Sequence, residues 1–488
     1  MLDGRCRPWM TGVALLMGLN CGMMAQTSPA PAPAPAPASG TGPAAAPASK
    51  PAPTAAPTSA EAPAVGPLAA DSPSAPLTPV PPILAKPKLS PLATPPKWDE
   101  LKAYDGVLTR AQFEKAISHV YGNGSTFPPP WKLDDQGVIV DTTPGKLPVR
   151  IAFRPATVEP KQVPHYWRAA KDLRPLEPGQ SPLKGVHIAL DPGHIGGGYA
   201  RLEERWLSMN PGEEIMEGRI VLQVAQLLKP RLEALGARVS MVRESENPLT
   251  KDTPQSLQDE ALRLLHEAGI ASPKDSYTDP RDEARILSVQ WQSEKLFYRV
   301  SEIHARARRV NEELRPDLVL CLHLNAEPWG DPKQPSFVEA NHFHLLINGC
   351  YSPDELQYED VRFEMLRRLF SRTEEQEMAM AAPVASAMAA ATGLPPYLYT
   401  TANARRVSGS PFVYARNLLA NRMYECPVLY FEPYVMNHGE TYRRLLLGHF
   451  LGRTLLDGKL VTSPLEDYAR GVERGLVEYF TQARKGGA

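Results

Sequence analysis

The sequence predicts an α/β protein: an open, mostly parallel sheet flanked by helices, preceded by a small α+β module and a disordered Pro/Ala-rich tether. Three observations predict it. From Lys184 onward, short apolar runs alternate with amphipathic stretches, as strands and helices do in one sheet domain. Residues 98–180 hold one helical pattern and two short strand-like runs. Residues 26–97 are mostly Pro, Ala, Ser and Thr, with too little to bury to repay the entropy of ordering them.

The chain opens with Arg5 and Arg7, followed by an apolar run from Trp9 to about Ala25. That run is short for a membrane-spanning helix, which needs about 20 apolar residues, and Gly18, Asn20 and Gly22 dilute it. Residues 1–25 therefore read as an export signal, either cleaved after Ala25 or kept as an anchor. Gly18-Leu19-Asn20 is a poor lead-in for lipid attachment at Cys21. No stable membrane span is expected in the mature chain, and its place is the periplasm or cell envelope. The tether (residues 26–97) should favour extended polyproline II, and at about 3.1 Å per residue it could reach on the order of 200 Å.

A formal net charge of −1 over 488 residues gives no basic field for nucleic acid or anionic lipid. Past the signal, Cys321, Cys350 and Cys426 remain, an odd number without a CxxC pair, so neither a disulfide framework nor a structural zinc site is expected. Cys321 and Cys426 sit in apolar strand-like runs and read as core.

Within 98–180, Phe113, Ala116, Ile117 and Val120 mark a helix over Leu108–Tyr121 with Thr109 as N-cap. GVIVD at 137–141 and PVRIAF at 148–153 read as strands. Residues 181–488 make the sheet domain. Its strands are GVHIAL at 185–190, RVSMV at 238–242, DLVLCLHL at 317–324, HFHLLI at 342–347 and PVLYFE at 427–432. Its helices run from Ile220 to Leu235 before Gly236, up to about Leu314, through Met378–Thr392, and near 441–456 and 465–482.

In open α/β sheets the working residues gather just past the carboxyl ends of strands. His194 lies in the turn DPGHIGG after the first strand of this domain, His323 and Asn325 end the third, and Glu432 ends the last. Glu217 opens the first long helix. Two imidazoles and a carboxylate form the ligand set of a catalytic zinc, and a second carboxylate can act as general base. Each residue has an ordinary explanation when taken singly: a strand-end histidine is usually a hydrogen-bonding residue, and a glutamate suits a helix N-terminus. Glu432 is harder to explain away, because a carboxylate after VLYF at a buried strand end is costly. Neither G-x-S-x-G nor HExxH occurs, and the glycines at 193 and 196–198 fit no phosphate-binding loop.

The order of these motifs resembles the zinc-dependent N-acetylmuramoyl-L-alanine amidases of the amidase-3 type. ALDPGH at 189–194 is similar to that family's opening motif, and EGRIVL at 217–222 with LEALGARV at 232–239 to its next block. MVRE at 241–244, RARRVNEE at 306–313, DLVLCLHLNA at 317–326, CPVLYFEPYVMN at 426–437 and RGVERGLVEYF at 470–480 follow in order. The resemblance spans about 184–482. It implies that His194, Glu217 and His323 hold Zn2+ and that Glu432 is the general base. Asn325 and Arg243 would stand behind the ligands or face the substrate. Ile195 replaces a glycine usual after the histidine, and Pro433-Tyr434 a small-residue pair after the glutamate, which leaves the groove's shape open. His342 and His344 share one strand face, and the resemblance gives them no metal role, so they read as surface or groove residues.

The implied activity is hydrolysis of the amide between N-acetylmuramic acid and L-alanine in peptidoglycan, for wall remodelling or cell separation. The same chemistry on another amide, such as a free muropeptide, and a non-catalytic wall-binding role stand as alternatives. Two stretches exceed what the resemblance requires, one between Arg243 and Arg306, the other over 349–372 with Asp354, Glu355, Glu359, Asp360 and Glu364. The second is expected to lie over the zinc groove, offering a carboxylate to the metal until an activator protein releases it.

Overall fold

Apolar runs with no polar alternation need cover on both faces, and four of them line up as neighbours in the sheet of this computed structural model, with an alternating strand at one edge. The structure describes residues 88–124, 129–279, 282–328 and 336–485; the expected export signal and most of the expected tether lie outside them. The strands are β4 (His187–Pro192), β7 (Arg238–Met241), β8 (Leu318–Leu322), β9 (Phe343–Ile347) and β12 (Val428–Pro433), joined at one edge by β10 (Arg405–Arg406) and β11 (Val413–Ala415). The seven-stranded order is β10-β11-β9-β12-β8-β4-β7. β7, β4, β8 and β12 run parallel, and β9 is antiparallel to β12 and parallel to β11. Every residue of β4, β8, β9 and β12 is buried, as a sheet covered on both faces requires.

α2 (Glu217–Ala234) carries its apolar stripe, including Val221, Val224, Leu228 and Leu232, into the main core. α4 (Val289–Leu296) starts at Ser288, whose hydroxyl accepts from the Trp291 amide, and runs through π-turns and α5 (Glu302–Arg308) to Leu314, the helix end expected from the sequence. α3 (Gln258–Glu267) packs beside α4. α6 (Glu359–Ser371), α7 (Thr373–Thr392), the short α8 (Leu419–Met423) and α10 (Pro464–Ala483) complete the cover. Cys321, Cys350 and Cys426 are buried free thiols.

Ahead of the sheet, α1 (Arg110–Ala116) is closed by a capping box between Thr109 and Gln112. β1 (Trp131–Leu133), β2 (Gly137–Val140) and β3 (Val149–Ala152) form an antiparallel sheet. This region packs on α6: Trp98 meets Phe363 edge-on at 5.6 Å, and Tyr104 and Phe113 lie 6.1 and 5.8 Å from Phe370.

One expected helix ends early. The helix expected over 441–456 is α9 (Gly439–Leu446), followed by the hairpin β13 (Thr454–Leu456) and β14 (Lys459–Val461). Gly448 at φ 69° stops the helix, and Asp457-Gly458, at φ 50° and 75°, makes the two-residue turn that hairpins prefer.

The candidate metal centre and its pocket

The parallel order places three strand ends side by side. β4 is paired with β8 and β8 with β12, so the turn after β4, the residue after β8 and the end of β12 share one edge. The His323 amide donates to the Phe431 carbonyl at 3.1 Å, which sets His323 level with Glu432. His194 sits in the left-handed region at φ 54°. Two close approaches hold this corner together. A Cβ on Gly193 would meet the His323 ring at 2.1 Å, and one on Gly218 would meet the Gly196 amide nitrogen at 2.6 Å.

His194, Glu217 and His323 come together. His194 Nε2 lies 3.2 Å from Glu217 Oε2, and His323 Nδ1 lies 3.1 Å from Glu217 Oε1. One ligand atom from each falls within 4.8 Å of the others. Donor atoms at about 2.0–2.2 Å from a tetrahedral zinc sit roughly 3.3 Å apart, so the spacing suits such an ion. Among the described residues, His194 Nε2 and Glu217 Oε2 make no well-formed hydrogen bond, although they face each other and Arg205 Nε lies 3.5 Å from Glu217 Oε2, so the buried pair is incompletely satisfied. Glu213 and Glu214, four and three residues before Glu217, turn away to Asn210 and Arg201.

The electrostatics follow from this crowding. Burial opposes a charge on His194, yet Glu217 and Glu203 outweigh it and raise its pKa. Burial lowers His323, with Glu217 offsetting part of the effect. Burial works against the Glu217 carboxylate, but the two imidazoles hold it well below the usual range. Glu432 has no such partner. Burial, then the charge of Glu217, push its carboxyl well above the usual range, and Arg416 and Arg205 offset only part. Glu432 Oε2 is buried with no hydrogen-bond partner among the described residues, and Glu432 lines the same pocket as His194 and His323, with Arg205, Arg299 and Arg416.

Arg243 and Asn325 stand outside that pocket lining. The Arg243 guanidinium donates to the carbonyls of Gly218, Gly193 and Ser245 at 2.8, 3.2 and 2.6 Å, bracing the two segments that carry His194 and Glu217. Asn325 exchanges backbone bonds with Tyr434 and Met436, and its side chain accepts from Ala326.

Sequence reasoning missed a buried network beneath His194 and Glu217. Arg306, 1% exposed, reaches Asp191 at 2.9 Å, Glu302 at 2.8 Å and the His194 carbonyl at 2.7 Å. Tyr424 donates to the other oxygen of Asp191 at 2.6 Å. Glu203 accepts from the amides of Ile195 and Gly196 and lies 3.6 Å from His194 Nδ1, behind the ring. The available signal was a carboxylate inside the apolar run ALDP and an arginine one helical turn after Glu302.

Two expectations need correction. The 349–372 segment does not cover the pocket. Its carboxylates are engaged elsewhere: Glu355 by the Ser352 amide and Asn417, Glu359 by Thr143, Asp360 by Ser90 and Glu364 by Arg422. Asp354 accepts from Gln357. Apolar residues on α6 bind the segment to the preceding region, and the pocket is walled instead by Tyr298, Arg299 and residues 416–420. His342 and His344 are not surface residues but are buried among Tyr397 and Tyr399, with His344 opposite Glu432 across the strands.

A curated relative matches part of the chain. It is described as the probable cell wall amidase LytH of Staphylococcus saprophyticus, 35% identical over 97 residues, which is 20% of this chain and 31% of that protein. The match thus spans about a third of the relative's length. No family model matches. Among solved structures, the chain is similar to the N-acetylmuramyl-L-alanine amidase Ami1 from Mycobacterium abscessus (16% identity, 61% of this chain, 99% of that one, TM-score 0.32). It is also similar to the CwlD amidase from Clostridioides difficile, solved in complex with the GerS lipoprotein (13%, 61%, 100%, 0.34), and to the amidase AmiC2 of Nostoc punctiforme (11%, 62%, 98%, 0.32).

Proposed function

We propose that this chain is a zinc-dependent N-acetylmuramoyl-L-alanine amidase of the amidase-3 type, acting on peptidoglycan in the cell envelope. The observation that carries it is the buried His194–Glu217–His323 set, whose ligand atoms fall within 4.8 Å of one another, with Glu432 lining the same pocket as the two histidines. The partial match to a cell wall amidase supports the substrate class.

In this reading His194, Glu217 and His323 hold the ion. When bound, zinc supplies Lewis acidity toward the amide carbonyl and lowers the pKa of water. Glu203 keeps the His194 ring oriented from behind, and Arg306 and Arg243 fix the backbone on either side. Tyr430 stacks on the His323 ring at 4.4 Å and limits its rotation. Glu432 Oε2 accepts a proton from the attacking water and returns it to the alanine nitrogen as the amide opens. Arg205, Arg299 and Arg416 give the pocket a cationic wall suited to the carboxylates of a stem peptide. An activator would have to work on Tyr298, Arg299 or residues 416–420, since 349–372 does not reach the pocket.

Metal removal tests the assignment. Chelation should abolish hydrolysis of purified sacculi and zinc should restore it, because no Ser or Cys nucleophile is present in the pocket lining. Full activity after confirmed metal removal would overturn it.

A further inference from the structure

On the opposite edge of the sheet, a cavity of about 350 Å3 opens between the segment 164–167 and α6. Its size falls within the range of small-molecule sites, about 300–1,000 Å3. Arg315 and Glu425 on its wall precede β8 and β12 by three residues each, whereas His323 and Glu432 lie at the far ends of those strands. At about 3.3 Å per residue, roughly 20–25 Å separates the two sites.

The wall is aromatic and rich in donors. His165 stacks on Trp167 with ring centroids 3.8 Å apart and planes within 7°, and Tyr104 and Tyr166 add two more rings. Trp167 and Arg368, 4% and 1% exposed, carry buried N–H groups at Nε1 and Nε with no partner among the described residues, as does Arg367 at Nε. Arg315 lies over the Tyr166 ring at 4.5 Å, and no carboxylate pairs with it among the described residues. The one acid on the wall, Glu425, is held by Arg367 Nη1 at 2.7 Å. The cavity therefore presents aromatic rings and, in Arg315, a cation with no carboxylate partner among the described residues, a combination that accepts a sugar-sized body bearing a carboxylate.

We propose that this cavity binds an acidic sugar, the lactyl-bearing N-acetylmuramic acid unit of a glycan strand from which the peptide has been removed. The choice of ligand rests on the amidase reading. Hydrolysis adds water across the lactyl–alanine amide, leaving a carboxylate on the sugar and an amine on alanine, so the reaction itself generates this group. A site for it on the far side of the sheet would keep the enzyme on strands it has already cleared.

Calorimetric titration of the full-length protein with N-acetylmuramic acid, N-acetylglucosamine and acetate tests the proposal. The acidic sugar should bind saturably, at least tenfold more tightly than either the neutral sugar or acetate. Arg315→Gln and Trp167→Phe, neither in the metal pocket, should each weaken it fivefold or more without changing metal content. Equal binding of both sugars, acetate binding as tightly as the acidic sugar, no saturable binding, or wild-type affinity in both variants would overturn it. Binding is read without turnover, so an inactive protein that binds the acidic sugar would count against the amidase reading and leave the cavity assignment standing.

Discussion

Glu432 and Glu217 are carboxylates in one corner, yet their surroundings push them in opposite directions. Glu217 is held by two imidazoles, whereas Glu432 faces burial and a like charge. Glu432→Gln should therefore keep the metal and lose about 10²–10⁴-fold in turnover, since the amide cannot accept the proton. His323→Ala should lose metal as well as activity, as metal analysis of the two purified variants would show. A Glu432→Gln enzyme near the wild-type rate with metal in place would move the base elsewhere. The strand-end positions of His194, His323 and Glu432 were legible because apolar runs stop at them. Glu203, Asp191 and Arg306 were not, because their significance lies in partners up to 233 residues away that the sequence does not pair. Arg243 was noticed as a strand end, but only the fold shows its guanidinium spent on backbone carbonyls.

The insertion between Arg243 and Arg306 is anchored at the metal corner. Ile195, fully buried, shares a cluster with Leu257, Ala261, Leu265, Val289 and Leu296 of that insertion. This gives a physical role to the isoleucine that stands where the resembling family has glycine. Ile195→Ala should cost about 2–5 kcal/mol and open the 255–300 region to proteolysis before the sheet. Equal digestion rates for variant and wild type would show that the insertion is held by other contacts. Arg306→Met should be harsher, about 3–5 kcal/mol in a denaturant titration, because it strands Asp191 and Glu302 as buried unpaired charges. At this scale most helices and strands could be read from periodicity. The misjudged helix at 441–456 came from weighting its apolar spacing above the turn chemistry of Gly448 and Asp457-Gly458. The 349–372 segment was misplaced because its run of carboxylates reads as a flap that could face a metal, whereas α6 buries Glu359 and Asp360 against partners far along the chain.

The whole molecule is tied by a further buried acid. Glu374 accepts from Tyr121 at 3.1 Å, and burial pushes its carboxyl up to about 8. Between the unfolded value near 4.5 and about 8, the folded state holds a proton that the unfolded chain has released. Stability should thus fall as pH rises through that window, at up to about 1.4 kcal/mol per pH unit from this group, and level off above it. Glu374→Gln should flatten the fall measured by urea titration between pH 5.5 and 8.5; an unchanged slope would assign it to other acids. The parallel core of the sheet was legible from its unbroken apolar strands, but the reversal at β9 was not, since burial on both faces hides strand direction. The same core sets His194, Glu217, His323 and Glu432 on one edge, and that is the basis for the proposed chemistry. Mass spectrometry of what the zinc-loaded protein releases from purified sacculi tests it most directly. The account predicts stem peptides with a free amino terminus on L-alanine and glycan strands with free lactyl carboxylates. Release of peptides still joined to muramic acid, or no release from folded, zinc-loaded protein, would contradict it.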